Sequence, residues 1–293
     1  MARGVLYIVD RAASTIVVLD TTGAVLRRIG REGSGPGEFR NPRSLFIDRD
    51  SLRIVDQGNG RIQVLTTDGV FIRSLPAPDA LGGAVSFRSD GAGLVGRNGF
   101  DSTLAQRLDL NGTAVARLGQ PVSPIPEAVD FQALKSQVMQ GLVPASLRNL
   151  TLPVLGEDGS CWLILHAEGT VERYSPSDSL VWRTSLHEPE FDRIRAEFFS
   201  SNQADSASNR FFILSYVATA QAHGDELWLL VRQPADAPTL ILVLGRDGAL
   251  RSRFRIPTAR GIRDFALDSA RRSLHLLAYD DAAILRVHLP RAP

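Results

Sequence analysis

The sequence has few of the residues that would indicate a disulfide scaffold, a cysteine metal cluster or a membrane span. Cys161 is the only cysteine among 293 residues, which excludes an intramolecular disulfide and a cysteine-ligated metal cluster. Its place in an apolar strand predicts a small buried side chain. No apolar run reaches the roughly 18 residues that a membrane-spanning helix needs. A composition of 44% apolar and 22% charged residues, with a net charge of +1, is typical of a globular protein.

Lysine is almost missing too, since Lys135 is the only one among 33 basic residues. We interpret this bias as the mark of a high-GC coding genome, because selection for phosphate binding would not remove lysine everywhere. Common catalytic signatures are also lacking: there is no G-x-S-x-G elbow, no Walker loop, and no H-x-x-x-H or H-E-x-x-H spacing. The five histidines are His166, His187, His223, His275 and His288.

What the sequence does contain is an internal repeat. Shifting the chain by 46 residues places Leu6–Asp10 on Leu52–Asp56 and Ile16–Leu19 on Ile62–Leu65 without a gap. Periods of about this length are typical of four-stranded propeller blades. Turn signals between the third and fourth strands recur and suit hairpins with positive φ; they are Thr22-Gly23, Asp68-Gly69, Asn111-Gly112 and Asp247-Gly248.

The best-defined unit joins the turn Gly33-Ser34-Gly35-Pro36-Gly37-Glu38-Phe39 to a strand pair connected by Asp56-Gln57-Gly58-Asn59-Gly60-Arg61-Ile62-Gln63-Val64. It resembles the NHL repeat of six-bladed β-propellers, in which a GPGEF-like turn precedes strands joined by a D-x-x-N-x-R-I-x-V loop. The resemblance implies an all-β, six-bladed propeller of four-stranded antiparallel blades. It does not imply one activity, because such propellers serve many functions.

Counting strands predicts four complete blades and two incomplete ones, within a single domain spanning residues 1–293. Complete blades are expected at 43–76, 83–118, 151–185 and 213–256. Residues 4–30 supply strands two to four of a further blade, and 261–289 supply strands one to three of another. Second strands at Cys161–Leu165, Leu227–Val231 and Leu274–Ala278 align Tyr7, Arg53, Trp162, Trp228 and His275 in one column.

The first blade lacks its innermost strand, which leaves the localisation open. Met1-Ala2-Arg3-Gly4 leads directly into a strand without a secretory signal, which taken literally predicts a cytoplasmic protein. A missing first strand would equally fit an exported protein whose leader was lost with that strand.

Two stretches between blades show helical rather than strand spacing. Helical spacing relates Phe131, Leu134 and Val138 within 127–140. The same spacing relates Phe191, Ile194 and Phe198 within 190–200. We expect packing helices that cover apolar surface, with a mobile lid as the alternative. The small and polar segment Ser200–Asn209 predicts a flexible loop.

Asp56, Asn59 and Arg61 are predicted to be structural. Asn tolerates left-handed backbone geometry, and an Asp can pair with the Arg across the turn. A partly buried pair would contribute about 1 kcal/mol. Asp48 and Asp268, each just after a first strand, either cap turns or line the mouth of a central channel.

A basic patch is predicted on one face of the propeller. Loops after second strands and links from fourth strands to the next blade emerge on a common side, which we call the loop face. One link carries Arg27, Arg28, Arg31, Arg40 and Arg43, and another Arg251, Arg253, Arg255, Arg260 and Arg263. The alternative is an ordinary solvated surface in which Glu32, Glu38 and Asp264 neutralise these arginines.

Two functions of different classes follow. The first is a non-catalytic scaffold that binds a protein or an anionic ligand through Arg40, Arg43, Arg260 and Arg263, with no cofactor. The second is a hydrolase or lyase similar to six-bladed lactonases, with an axial calcium or zinc ion held by ligands from several blades. RNA is disfavoured as a partner because stacking residues are scarce on the predicted loops, Phe39 and Phe100 being the best placed.

Overall fold

The strands of this computed structural model form six antiparallel sheets in the part of the chain that is described. The described residues are 4–48, 50–76, 85–87, 93–96, 102–109, 113–124, 130–205, 210–234, 237–257, 261–268, 272–278 and 283–289. Four sheets have four strands, and the first and the last have three. The first strand of each sheet in chain order contacts the first strand of the next sheet, from the first sheet to the sixth. This is the arrangement of propeller blades around a common axis.

The blades follow the predicted boundaries. The first contains β1 Val5–Asp10, β2 Thr15–Asp20 and β3 Val25–Ile29, and the second β4 Pro42–Asp48, β5 Ser51–Asp56, β6 Arg61–Thr66 and β7 Phe71–Pro76. The third contains β8 Val85–Phe87, β9 Gly93–Gly96, β10 Ala105–Leu108 and β11 Ala114–Leu118. The fourth contains β12 Thr151–Leu155, β13 Cys161–Leu165, β14 Thr170–Tyr174 and β15 Leu180–Ser185. The fifth contains β16 Val217–His223, β17 Glu226–Val231, β18 Thr239–Leu244 and β19 Leu250–Ile256, and the sixth β20 Ile262–Asp268, β21 Ser273–Ala278 and β22 Ala283–His288.

Burial explains why the middle strands are so apolar. Every residue of β13 and of β18 is buried, because neighbouring blades cover both faces of these strands. The outermost strands β15 and β19 instead contain many exposed residues. Four members of the predicted second-strand column are buried, with Trp162 1% exposed and Arg53, Trp228 and His275 at most 6% exposed. Cys161 is also buried, as predicted.

In the described parts of the links on either side of the fourth blade lie three α-helices: α1 Phe131–Met139, α2 Ala145–Arg148 and α3 Pro189–Ala204. Asp130 caps α1, since its carboxylate accepts from the backbone N–H of Gln132 at 2.8 Å. Val138 of α1 joins the hydrophobic core with Phe191, Ile194 and Phe198 of α3, which confirms the packing role of both segments.

The helical prediction was wrong at two places. Phe131 is 60% exposed, because it begins α1 and its side chain is left outside the core that Leu134 and Val138 enter. The predicted loop Ser200–Asn209 begins too early, since α3 continues to Ala204. Buried Asn202 stabilises that last turn by accepting from the Phe212 N–H at 2.9 Å. Residues 206–209 lie outside the described part of the chain.

Three of the four hairpin turn signals have the expected backbone. Gly23, Gly69 and Gly248 have φ values of 92°, 94° and 81°. Only glycine adopts this region without strain, so these turns follow from the local sequence. The fourth turn, Asn111-Gly112, lies outside the described residues.

Candidate functional site

The loop face is organised around Asp56, the last residue of β5, whose side chain has no exposed surface. Its carboxylate accepts hydrogen bonds from the Arg40 backbone N–H at 2.7 Å, Asn59 Nδ2 at 2.8 Å, Arg61 Nε at 2.8 Å and Gln63 Nε2 at 3.0 Å. Four donors around one buried carboxylate compensate for its loss of hydration.

The same donors hold the Gly33–Phe39 turn. Asn59 Nδ2 donates to the Gly33 carbonyl at 2.9 Å, and Arg61 Nη2 to the carbonyls of Gly35 at 2.8 Å and Glu38 at 2.9 Å. The structure thus brings Asp56, Asn59 and Arg61 together. The turn differs from the prediction in one detail. The residue with left-handed backbone geometry is Gly60, with φ of 63°, and not Asn59, which contributes hydrogen bonds from its side chain.

Gln63 belongs to this cluster although the sequence analysis did not single it out. Its side chain is fully buried and bonds both Asp56 and the turn, whose Gly37 N–H donates to Gln63 Oε1 at 2.9 Å. A polar residue between the apolar residues Ile62 and Val64 of β6 was the available signal. The structural role of the whole cluster stays our proposal.

Most arginines of the predicted basic patch are paired with carboxylates. Contacts at 2.6–3.4 Å join Arg27 to Asp68, Arg28 to Asp10, Arg31 to Glu38, Arg251 to Asp247, Arg253 to Glu188, and Arg255 to Glu190. Several partners lie on a neighbouring blade or link, so these pairs connect blades. Their charge is compensated locally, although of the three partners that the alternative interpretation named, only Glu38 occurs in these pairs.

The arginines nearest the axis are arranged differently. Arg43 is the second residue of β4 and Arg263 the second residue of β20, and the strand register skips each of them at a bulge. Both side chains are exposed, as is that of Arg40. Across the described residues, no carboxylate lies within salt-bridge distance of Arg40 or Arg43. Arg260 falls outside the described part of the chain.

Arg232 and His166 are further loop-face residues that were not among the predicted site residues. Each is the first residue after a second strand, and each donates its backbone N–H to the residue before the innermost strand of its own blade: Arg232 to Tyr216 O at 2.8 Å and His166 to Leu150 O at 3.0 Å. They therefore occupy equivalent positions in adjacent blades. The column of aligned second strands could have revealed them, since both lie just beyond its end.

Arg232 lies close enough to Arg263 for the two charges to repel. Burial lowers the pKa of Arg232, and the positive charge of Arg263 lowers it further, while Glu197 of α3 opposes the change. Part of the Arg232 side chain nevertheless stays open to solvent. Crowded like charges with open access are a common feature of anion-binding sites.

His166 is held as a neutral imidazole. Ser215 Oγ donates to the Val217 carbonyl at 2.8 Å and lies 2.8 Å from His166 Nδ1, so Nδ1 carries the proton that the hydroxyl accepts. Nε2 then keeps its lone pair. Burial lowers the pKa of His166 to about 4, and the charge of Arg232 contributes to the shift.

Asp264, which follows Arg263 in β20, is an acidic group of this region. Its Oδ1 accepts from the Phe265 N–H at 2.8 Å, and Thr219 of β16 also bonds the carboxylate. Burial by the surrounding blades raises the pKa of Asp264 to about 6, although its side chain keeps solvent contact. Asp268, the other acid of β20, is buried at the opposite end of the strand. The side chain of Asp48 is outside the described part.

Metal-ligating residues do not cluster here: the described ranges contain no group of three or more His, Cys, Asp or Glu side chains placed to hold an ion. Nor does any helix within those ranges have the length and apolar character needed to cross a bilayer.

Comparisons with known proteins agree with this fold. The model of a family described as a 6-bladed β-propeller matches residues 1–81. Virginiamycin B lyase from Staphylococcus aureus is 14% identical with a TM-score of 0.54, over 99% of this chain and 78% of the lyase. Kuenenia stuttgartiensis hydrazine synthase is 9% identical with a TM-score of 0.54, over 97% and 73% of the two chains.

A chain of the nidogen–laminin complex is also similar, at 12% identity and a TM-score of 0.52, over 87% of this chain and 76% of that one. No curated protein is a significant match. The similar structures include enzymes and a binding protein, so at these identities they support the propeller fold and leave the activity undecided.

Proposed function

We propose that this protein is a binding propeller whose loop face holds an anionic ligand or an acidic protein surface through Arg40, Arg43, Arg260 and Arg263, without performing chemistry on it. The observation that supports this most is the equivalent placement of Arg43 and Arg263 at bulges of two innermost strands. We further infer that the blades are of the NHL type and that residues 1–293 form one domain.

Charge and geometry favour an anion at this position. A guanidinium group meets a carboxylate or phosphate with two parallel hydrogen bonds. Arg40 and Arg43 are exposed and have no carboxylate within salt-bridge distance among the described residues, so they can do so without first breaking an ion pair. Arg232 adds a further cation beside Arg263. Because the outer arginines of the patch are already paired, binding is expected near the axis and not along the blade edges.

The alternative, a lactonase-like hydrolase or lyase with axial calcium or zinc, needs ligands that converge from several blades. The part of the chain that is described offers no such set of side chains. We therefore prefer binding, and the experiment below includes an outcome that would favour the enzyme.

The test is the affinity of the full chain for fluorescein-labelled poly-glutamate, measured by fluorescence anisotropy at a series of salt concentrations. Binding should weaken steeply as salt rises to physiological ionic strength, because counterions compete for the same charges. Arg43→Glu/Arg263→Glu should abolish binding. The matched control Arg73→Glu/Arg117→Glu makes the same charge change on exposed residues of the outermost strands β7 and β11 and should retain most of it.

Equal losses in the two double variants would show a general charge effect and contradict the proposal. Failure of poly-glutamate to bind at low salt, together with turnover of a lactone when calcium or zinc is added, would establish the enzyme instead.

A further inference from the structure

A pocket of about 470 Å³ lies on the loop face between the three helices and the turn after β13. None of the arginines in the proposed function lines it. Its lining includes the apolar residues Pro124, Leu142 and Val143 and the polar residues Arg148, Glu168, Arg195 and Tyr216. Its volume lies within the range of about 300–1,000 Å³ found for small-molecule sites. The blades do not need these helices to form their sheets, so the pocket is built by inserted elements.

The walls are fixed by buried hydrogen bonds. Asn149, which is fully buried, accepts from the Val122 N–H at 2.9 Å and donates to the Ser123 carbonyl at 2.9 Å, while Ser123 Oγ donates to the Ala145 carbonyl at 2.7 Å. Tyr216 stacks on Phe191 with ring centroids 4.5 Å apart. Such a pocket can bind without first ordering its walls, which reduces the entropic cost of binding.

One of the two pocket arginines is already neutralised. Arg148 Nε lies 2.6 Å from Glu168 Oε1, and the contact raises the pKa of Arg148. Arg195 lies over the Phe199 ring at 5.9 Å and beside the Tyr216 hydroxyl. Within the described ranges no carboxylate is at salt-bridge distance from Arg195. The pocket therefore contains one available guanidinium group.

Part of the lining is apolar and open to solvent. Leu142 is 54% exposed, and Val143 and Pro124 are further apolar residues of the lining. Covering it would remove apolar area from water, which favours binding by about 25 cal/mol per Å². A ligand that matches both the apolar residues and the Arg195 guanidinium combines an apolar body with one anionic end.

We propose that this pocket binds a medium-chain organic carboxylate, with its carboxylate on Arg195 and the Tyr216 hydroxyl and its apolar body against Leu142, Val143 and Pro124. The site is independent of the loop-face arginines Arg43 and Arg263 and would remain if the proposed polyanion binding were wrong. It adds small-molecule recognition to the propeller.

The test titrates octanoate into the full chain by isothermal titration calorimetry. The wild type should bind octanoate saturably and its neutral isostere octanamide much more weakly. Arg195→Gln should weaken octanoate binding about tenfold or more, since a charged hydrogen bond is lost. Arg193→Gln is the matched control, because Arg193 is exposed on the same helix α3 and does not line the pocket.

A second variant tests the apolar wall. Leu142→Asp changes an exposed residue, so folding should be retained and can be verified by circular dichroism, while octanoate binding should be lost. Arg43→Glu/Arg263→Glu should leave it unchanged. Absence of saturable binding, equal effects of Arg195→Gln and Arg193→Gln, insensitivity to Leu142→Asp, or loss in the loop-face double variant would each overturn the proposal.

Discussion

Replacing Arg61 by Ala should strongly destabilise the protein, because Arg61 connects a buried carboxylate to the Gly33–Phe39 turn. The change removes the 2.8 Å bond from Arg61 Nε to Asp56 and both bonds from Nη2 to turn carbonyls. Asp56 stays behind without its cation and without access to water.

The magnitude follows from burial. Removing one partner of a buried ion pair costs about 3–5 kcal/mol. Arg61 is 19% exposed, and Asp56 keeps three other donors, so the cost should be near the lower end, about 3 kcal/mol. This exceeds the value of about 1 kcal/mol expected for a partly buried pair, because Asp56 has no exposed surface.

The assay is urea unfolding followed by circular dichroism, with the free energy of unfolding compared between variants. Arg27→Ala is the control: Arg27 pairs with Asp68, but the two side chains are 39% and 84% exposed, so its loss should cost about 0–1 kcal/mol. If Arg61→Ala and Arg27→Ala were equally stable, the Asp56 cluster would not hold the turn and the argument from burial would be wrong.

Three further predictions concern the backbone and the titrating groups. Gly30→Ala should lower the free energy of unfolding in urea by about 3 kcal/mol or more, because the new Cβ would lie 2.2 Å from the buried Phe39 ring. Gly23→Ala is the control: Gly23 has a similar positive φ but open space around it, so the loss should be only about 1–2 kcal/mol. The melting temperature of the wild type should fall relative to that of His166→Asn as pH drops from about 6.5 to about 4. The unfolded imidazole takes up a proton at higher pH than the folded one, so acid favours the unfolded state. Parallel profiles of melting temperature against pH for the two proteins would refute this. Relative to Asp264→Asn, the wild type should lose stability as pH rises from about 4 to about 6, because the folded carboxyl keeps its proton to a higher pH than the unfolded one. A constant difference between the two proteins across this range would contradict the raised pKa of Asp264.

Much of the architecture could be predicted because it depends on local patterns. The 46-residue match aligned β1 and β2 with β5 and β6, and short apolar strands separated by Gly-containing turns allowed the blade boundaries to be placed within a few residues. Positive φ at Gly23, Gly69 and Gly248 was predictable because each glycine lies in a short turn between two strands, where its lack of a Cβ permits that conformation. Asp56 and Arg61 were identified because they are close in sequence and belong to one motif.

The tertiary structure decided what the arginines do. Arg253 is 65 residues from Glu188 and Arg27 is 41 residues from Asp68, so no local pattern indicates these pairs. The folded structure therefore contains two groups of arginines. Some are neutralised by such pairs, whereas Arg43 and Arg232 have no carboxylate partner within the described ranges.

The loop-face residues come together only because the blades are arranged around a common axis, which the sequence alone does not specify. His166 and Arg232 are apart in sequence, yet the equivalent strand ends of adjacent blades place both on one face. The pocket at Arg195 likewise combines two links and one turn. Sequence periodicity determines the blade, because strand burial and turn geometry act over a few residues; the candidate sites arise where different blades meet, because only ring assembly sets those distances.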